Sequence, residues 1–122
     1  FPLVASTPAT RHLIDADAIE RMRPGVFLIN VSRGEIVDET AVERALDRGH
    51  LRGFGCDVGS APDQRPNRRL AARPDVVATP HLGGLTPENA DAQAHSSVEQ
   101  IEAILRGEQP PRLANPKVWP HP

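Results

Sequence analysis

The sequence contains a single cysteine, Cys56, and no long basic run among its 122 residues. One cysteine excludes an internal disulfide and a zinc site built from cysteines. The arginines between positions 65 and 73 are bracketed by Asp63 and Asp75, and the formal net charge is −2. A solvated loop accounts for these arginines better than a phosphate-binding track does. The composition therefore argues against a nucleic-acid partner.

Other features are missing as well. No apolar stretch is long enough to span a bilayer and no secretory signal is present, which favours a cytoplasmic protein without a membrane partner. The five histidines show no metal-ligand spacing, so no metal is predicted. Neither Ser32 nor Ser60 lies in a nucleophile elbow. Gly53 and Gly55 begin a dinucleotide fingerprint, but Val58 occupies the place of its third glycine.

Strand and helix patterns alternate along the chain. Apolar runs predict strands over 1–5, 26–31, 51–58 and 76–79. Helices are predicted over 16–23, 38–48 and 87–106, and the first and last have Asp15 and Thr86 as N-caps. A further turn of helix is predicted over 70–72. Strands separated by helices predict right-handed βαβ units, and hence an α/β fold with a parallel sheet flanked by helices.

The carboxyl-terminal residues have a different composition. Gly107 ends the last predicted helix, and the prolines at 110, 111, 116, 120 and 122 rule out its continuation. We therefore expect a domain over 1–106 and an extended, proline-rich tail over 107–122. Because the chain begins with Phe1 and not methionine, we expect it to be the carboxyl-terminal part of a longer protein.

Two polar residues follow predicted strands, where open α/β sheets carry their chemistry. Arg33 comes after the strand 26–31; it could hold a carboxylate through two hydrogen bonds, or form a surface ion pair with Glu35 or Asp38. His81 comes after the strand 76–79; it could pass a proton to or from a substrate oxygen, or be structural. The residues alone leave both alternatives open.

Three further residues lie at the same predicted edge. Asp57, at the end of the strand 51–58, could accept a hydrogen bond from a ligand amide or cap a loop. Gly83 and Gly84 remove side chains where the backbone turns tightly or approaches a ligand. Turn geometry alone would also account for both glycines.

Several ordered motifs together resemble one enzyme family. They are TPATRHLID at 7–15, MRPGVFLINVSRG at 22–34, VDE at 37–39, GCDV at 55–58, TPHLGG at 79–84 and NP at 115–116. The chain resembles the D-isomer-specific 2-hydroxyacid dehydrogenases, and within them the carboxyl-terminal half of the NAD-binding domain. The resemblance implies a partial Rossmann-like domain from an oxidoreductase that moves hydride between NAD or NADP and a 2-hydroxy or 2-oxo acid. It also implies a homodimer at full length.

The resemblance also implies roles for individual residues. Arg33 would grip the carboxylate and carbonyl of the substrate, and His81 would be the general acid in 2-oxoacid reduction and the base in the reverse direction. Asp57 would contact the nicotinamide side of the cofactor. The residues expected to line the cofactor are Thr7, Val31, Ser32, Arg33, Asp57, His81, Gly83 and Gly84.

The sequence departs from the family pattern in two places. Family members usually carry a glutamate shortly after the DV motif that orients the histidine, but residues 57–64 read DVGSAPDQ. Asp63 is the nearest acid and is expected to take that catalytic place after a loop shift. In the family the glycine-rich phosphate loop and the substrate-binding domain lie upstream of these motifs. We therefore expect the chain alone to bind cofactor poorly and not to turn over.

Two other hypotheses follow from the same residues. The fold also serves as an NAD-sensing transcriptional co-regulator, and loss of the usual glutamate is compatible with that binding function. A truncated remnant without a function of its own is the third hypothesis.

Overall fold

The structure is a computed structural model that describes residues 1–119. Strands β1 (Val26–Asn30), β2 (Leu51–Cys56) and β3 (Val76–Ala78) form a parallel sheet in the order β1-β2-β3. The helices are α1 (Ala16–Glu20), α2 (Glu39–Asp47), α3 (Arg68–Ala71) and α4 (Pro87–Leu105). Short 3-10 turns cover Gly34–Ile36 and Pro116–Val118. The predicted α/β fold with a parallel sheet is confirmed.

The chain divides into two compact units, Phe1–Gly83 and Gly84–Pro122. The first unit contains the whole described sheet, and the second contains α4. This division falls before α4, whereas the sequence places its boundary after residue 106. The assignment of residues 1–106 to one cofactor-binding domain stays a prediction.

Polar caps explain where the helices begin. An Asp15 carboxylate oxygen accepts from the Ala18 N–H at 2.8 Å, and Asp38 caps α2 through the N–H groups of Thr40 and Ala41. Thr86 caps α4. Each cap satisfies N–H groups that have no partner inside the helix. After α2 the backbone of Gly49 has a φ of +69°, a conformation that glycine adopts without a steric penalty.

The core of the first unit lies on one face of the sheet. Leu28, Phe54 and Val76 point from the three strands into a cluster that α2 closes with Val42 and Ala45. The apolar stripe of α2 recurs at helical spacing, so burial of this stripe fixes the helix against the strands. Further buried members are Ile19, Ile36, Val37, Ala41, Leu46, Leu51, Cys56 and Leu70.

The opposite face of the sheet is more open. Phe27 on β1 is 63% exposed and Val77 on β3 is 75% exposed. These side chains alternate with the buried ones, as the two-residue period of a strand requires. A groove of about 530 Å³ follows this face and reaches Val31, Asp57 and Thr79 beyond the strand ends.

The prediction of a strand over residues 1–5 is wrong. These residues adopt no regular secondary structure, and β1 pairs only with β2 among the described strands. Side-chain hydroxyls bond this segment instead, with Ser32 donating to the Val4 carbonyl and Thr10 to the Ala5 carbonyl. An apolar run forms a β-strand only where a neighbouring strand accepts and donates its backbone hydrogen bonds, and the structure shows none beside residues 1–5 within the described part of the chain. The predicted tail holds the 3-10 turn at Pro116–Val118, and its residues 120–122 lie outside the described residues.

Candidate active site

Three loops meet at the carboxyl edge of the sheet. They follow β1, β2 and β3 and carry Arg33, Asp57 and His81 respectively. The parallel pairing continues past the strand ends, since the Asp57 N–H donates to the Asn30 carbonyl and the Thr79 N–H donates to the Cys56 carbonyl, at 3.2 and 3.0 Å. The fold thereby brings three candidate residues to one edge, as the sequence predicts.

Asn30 shapes the loop that carries Arg33. Its side chain is 1% exposed; the amide nitrogen donates to the Arg33 carbonyl at 2.9 Å, and the amide oxygen accepts from the Ser32 N–H at 3.1 Å. Because both ends of one buried amide are used, the backbone of residues 30–33 is fixed.

The guanidinium of Arg33 itself is exposed. It donates to the Ser32 carbonyl at 2.8 Å. Within residues 1–119 it forms no ion pair with Glu35 or Asp38, the alternative partners that the sequence offers. The guanidinium therefore keeps hydrogen-bond donors for a ligand carboxylate.

Asp57 holds the loop that carries His81. Its carboxylate accepts from the Thr79 hydroxyl and from the N–H groups of Leu82 and Gly83, each N–H at 2.8 Å. A methyl group added at Gly83 would lie 2.9 Å from a carboxylate oxygen of Asp57. A side chain at position 83 would therefore displace this carboxylate from the N–H groups that donate to it.

His81 has a left-handed backbone conformation with a φ of +61°. For a residue with a side chain this conformation costs about 1–2 kcal/mol. The hydrogen bonds to Asp57 on either side of the loop, and that from the His81 N–H to the Thr79 carbonyl at 3.0 Å, oppose this cost. The loop presents a half-buried imidazole at the sheet edge.

The electrostatics of the edge depend on Asp57. Burial alone would raise the pKa of its carboxyl, but the hydrogen bonds from Thr79, Leu82 and Gly83, with the nearby His81, hold that pKa below its ordinary value. Asp57 is therefore an anion at neutral pH. Burial, with the negative Glu39 and Asp57 nearby, raises the pKa of the Cys56 thiol to about 11. Cys56 is therefore a buried, protonated thiol at neutral pH.

Asp63 has a local partner. Its carboxylate accepts from the Arg65 N–H at 3.2 Å and lies 3.8 Å from the Arg65 guanidinium. It lines a cavity of about 600 Å³ together with Pro80, the neighbour of His81. No carboxylate is hydrogen-bonded to the His81 ring in the part of the chain that the structure describes. The catalytic role of Asp63 stays a prediction.

The other residues that are predicted to line the cofactor lie in different surroundings. Val31 is 52% exposed just beyond β1, and Ser32 donates its hydroxyl to the Val4 carbonyl at 2.9 Å. The Thr7 N–H bonds to the Thr10 hydroxyl at 2.8 Å within its own turn. Gly84 begins the second unit, where a methyl group at this position would meet only the Asn89 amide, at 3.6 Å.

Sequence reasoning missed three residues that shape the site. Asn30 was detectable, because it is the one polar residue inside a buried apolar strand. Gln64 and Gly59 act through contacts with residues 34 and 35, which no local pattern shows.

Comparison with known proteins identifies the family of this chain. Residues 2–83 match the family described as D-isomer specific 2-hydroxyacid dehydrogenase, NAD binding domain. The chain belongs to this dehydrogenase family. It is 38% identical over 112 residues to glyoxylate/hydroxypyruvate reductase B of Pectobacterium carotovorum, covering 92% of the chain and 35% of the reductase. The chain thus spans about a third of the length of this curated relative.

Solved structures of this dehydrogenase family share the fold. D-lactate dehydrogenase from Aquifex aeolicus, complexed with NAD and lactic acid, has a TM-score of 0.77 at 29% identity, over 87% of the chain and 36% of that structure. A D-isomer specific 2-hydroxyacid dehydrogenase from Xanthobacter autotrophicus, in complex with NADPH and MES, has a TM-score of 0.73 at 34% identity. This match covers 94% of the chain and 47% of that structure. The chain is therefore a Rossmann-like partial domain.

Residues 1–119 contain neither a membrane-spanning helix nor a cluster of metal ligands. None of the helices there combines the length and apolar character needed to cross a membrane. No group of three or more histidine, cysteine, aspartate or glutamate side chains in that range is arranged to hold a metal ion.

Proposed function

We propose that this chain is part of a longer NAD(P)-dependent oxidoreductase that interconverts a 2-hydroxy acid and a 2-oxo acid. The observation that supports this most is that Arg33, which forms no ion pair within residues 1–119, and His81 lie at one sheet edge. A guanidinium can bind a substrate carboxylate through two parallel hydrogen bonds, and a carbonyl that is being reduced needs a proton donor. Relatives named as glyoxylate or hydroxypyruvate reductases agree with this chemistry.

A nicotinamide cofactor fits this edge in part. The exposed Val31 offers an apolar surface beside the loops of Asp57 and His81. Gly83 keeps the backbone free of a side chain there. No glycine-rich loop for the pyrophosphate is recognisable in the sequence, so we propose that other parts of a longer protein hold that group. One family structure holds NAD and another NADPH, and both cofactors remain within the proposal.

The residues of this chain would divide the work with the cofactor. When bound, the nicotinamide gives or takes the hydride. Arg33 binds and orients the carboxylate of the acid, so that its 2-carbonyl faces His81. The protonated imidazole gives its proton to the carbonyl oxygen during reduction, and the neutral imidazole takes it back from the hydroxyl in the reverse direction. Asp57 keeps the His81 loop in place for both directions.

Further proposals concern the isolated chain, the longer protein and Asp63. Because the chain spans only about a third of its first relative, we expect it alone to bind cofactor poorly and not to turn over. We propose that the longer protein is a homodimer located in the cytoplasm. Asp63 is proposed as the acid that reaches His81 once the loop at 59–66 shifts.

The proposal is tested in the longer protein by following NADH and NADPH oxidation at 340 nm with a panel of 2-oxoacids. We expect His81→Ala to lower kcat by about 10²- to 10⁴-fold, as for loss of a general acid. Arg33→Ala should mainly raise KM for the oxoacid, because the substrate carboxylate loses the guanidinium that binds it. Asp63→Ala should lower kcat if this carboxylate assists His81. Arg23→Ala, at an exposed arginine beyond α1, is the matched control.

An unchanged kcat in His81→Ala together with an unchanged KM for the oxoacid in Arg33→Ala would overturn the proposal. Tight NADH binding with no turnover on any oxoacid would instead favour the co-regulator hypothesis. This second candidate is kept because no carboxylate within residues 1–119 is hydrogen-bonded to the His81 ring.

A further inference from the structure

The loop at residues 59–66 lies directly against the segment that follows Arg33. A methyl group added at Gly34 would lie 1.9 Å from the Gly59 carbonyl carbon and 2.5 Å from the Ser60 nitrogen. One added at Gly59 would lie 2.2 Å from the Arg65 carbonyl oxygen. The two backbones are therefore in contact next to Arg33, and the loop cannot move without affecting this segment.

Gln64 is the residue through which the loop closes. Its backbone has a left-handed φ of +58°; its carbonyl accepts from the Gly59 N–H at 3.0 Å, and its N–H donates to the Ala61 carbonyl at 2.8 Å. This closure directs the side chain toward the segment after Arg33. The amide nitrogen of Gln64 donates to the Glu35 carboxylate at 2.9 Å.

Glu35 is an anion two residues from the arginine that would bind the substrate. The hydrogen bond from Gln64 is the main cause that keeps the pKa of this carboxyl below its ordinary value, and the charges of Arg11 and Arg33 contribute. A carboxylate this close to Arg33 is a competitor for any carboxylate that the guanidinium should bind. In residues 1–119, however, Glu35 bonds to Gln64, and the Arg33 guanidinium donates to the Ser32 carbonyl.

We propose that Gln64 is a positioning residue that holds the Glu35 carboxylate away from Arg33 and so keeps the guanidinium open to the carboxylate of the substrate. This inference rests on the proposed function, in which Arg33 binds that carboxylate. It also gives a role to the loop that lacks the usual glutamate, because this loop then controls the arginine side of the site.

The physical reason is competition between two carboxylates for one guanidinium. Once the amide donor of Gln64 is lost, the Glu35 carboxylate must find another partner among the cations whose fields it already feels, Arg11 and Arg33. Any bond that it forms to Arg33 occupies the guanidinium that would bind the substrate. An exposed pair of this kind is weak, so we expect competition of about three- to five-fold and not a complete block. The effect falls mainly on substrate binding, because the bond between Gln64 and Glu35 is separate from the bonds by which Asp57 holds the His81 loop.

The test uses the longer protein with three variants: Gln64→Met, Glu35→Gln and the double variant. Methionine keeps the bulk of Gln64 without its donor, and glutamine removes the charge of Glu35. We expect Gln64→Met to raise KM for the 2-oxoacid about three- to five-fold, with kcat and KM for the nicotinamide cofactor unchanged. Glu35→Gln and the double variant should lie within about two-fold of wild type, because no competing carboxylate remains. Gln93→Ala, at an exposed glutamine of α4, is the matched control.

The same variants are also titrated with oxalate by calorimetry, which reports carboxylate binding without turnover. Gln64→Met should weaken oxalate binding, and the double variant should restore it. An unchanged KM and oxalate affinity in Gln64→Met would overturn the inference while turnover in wild type upholds the proposed function. A double variant as impaired as Gln64→Met would also overturn it, since Gln64 would then only support the loop. Wild type that neither turns over nor binds oxalate would overturn both.

Discussion

The loops that carry Arg33 and His81 leave the same sheet edge but are held by different chemistry. A neutral amide, Asn30, bonds the backbone of its own loop ahead of Arg33. A charged carboxylate, Asp57, reaches from the neighbouring strand end to the His81 loop. The first loop is shaped by local bonds and backbone contact, whereas the second depends on an anion and on a left-handed histidine.

The two loops should therefore fail for different reasons. The Arg33 loop depends on shape, because Gly34 and Gly59 leave no room for a side chain. The His81 loop depends on charge, because three donors converge on one carboxylate. A change of volume should therefore damage the first loop most, and a change of charge or of pH should damage the second.

The largest effect should come from filling the contact beside Arg33. Gly34→Ala places a methyl group 1.9 Å from the Gly59 backbone, which only a backbone shift can relieve. We expect the free energy of unfolding to fall by about 3 kcal/mol, measured by denaturant titration of the longer protein.

Gly55→Ala is the control for this volume effect. Its methyl group would meet the Ile29 side chain at 3.4 Å, an ordinary contact distance, so a loss below about 1 kcal/mol is expected. Equal losses in the two variants would show that the close contact at Gly34 is not what makes the Arg33 loop rigid.

An intermediate effect should come from the charge in the His81 loop. Asp57→Asn keeps the shape but removes the charge and turns one acceptor into a donor facing an N–H group. We expect a loss of about 1–3 kcal/mol in the free energy of unfolding, together with a fall in kcat as the His81 loop relaxes.

The reciprocal substitution tests the Arg33 loop. Asn30→Asp keeps the acceptor for the Ser32 N–H but loses the donor to the Arg33 carbonyl. We expect its main kinetic effect on KM for the oxoacid, measured by the same assay. If Asp57→Asn and Asn30→Asp changed kcat and KM in the same ratio, the two loops would not act separately.

Much of the architecture was predictable from the sequence, because periodicity and caps are local. The three described strands and α2 follow apolar runs and stripes, and Asp15, Asp38 and Thr86 mark helix starts within a residue. The strand predicted over residues 1–5 was wrong because an apolar run alone does not tell whether a partner strand lies beside it.

The site was predictable only where a motif lies at a strand end. Arg33 and His81 follow β1 and β3, and parallel pairing alone places them at one edge. The bond between Gln64 and Glu35 joins residues 29 positions apart and depends on a left-handed turn. Such a bond becomes visible only after the loop has been built.

The smallest effect should be a pH dependence confined to the His81 loop. The pKa of Asp57 is lower in the folded chain than its ordinary value, which is about 3.9 in an unfolded chain. The stabilisation is therefore complete above about pH 5, where the carboxyl is ionised in both states, and is lost progressively as the pH falls through the folded pKa. We expect the difference in unfolding free energy between wild type and Asp57→Asn to be constant from about pH 7 to 5 and to shrink below about pH 4. The corresponding difference for Asn30→Ser should stay constant, because neither side chain titrates there. Glu35 titrates in wild type and in the variant alike, so its contribution cancels in this difference. A difference for Asp57→Asn that stayed constant down to pH 3 would therefore show that charge does not distinguish the two loops.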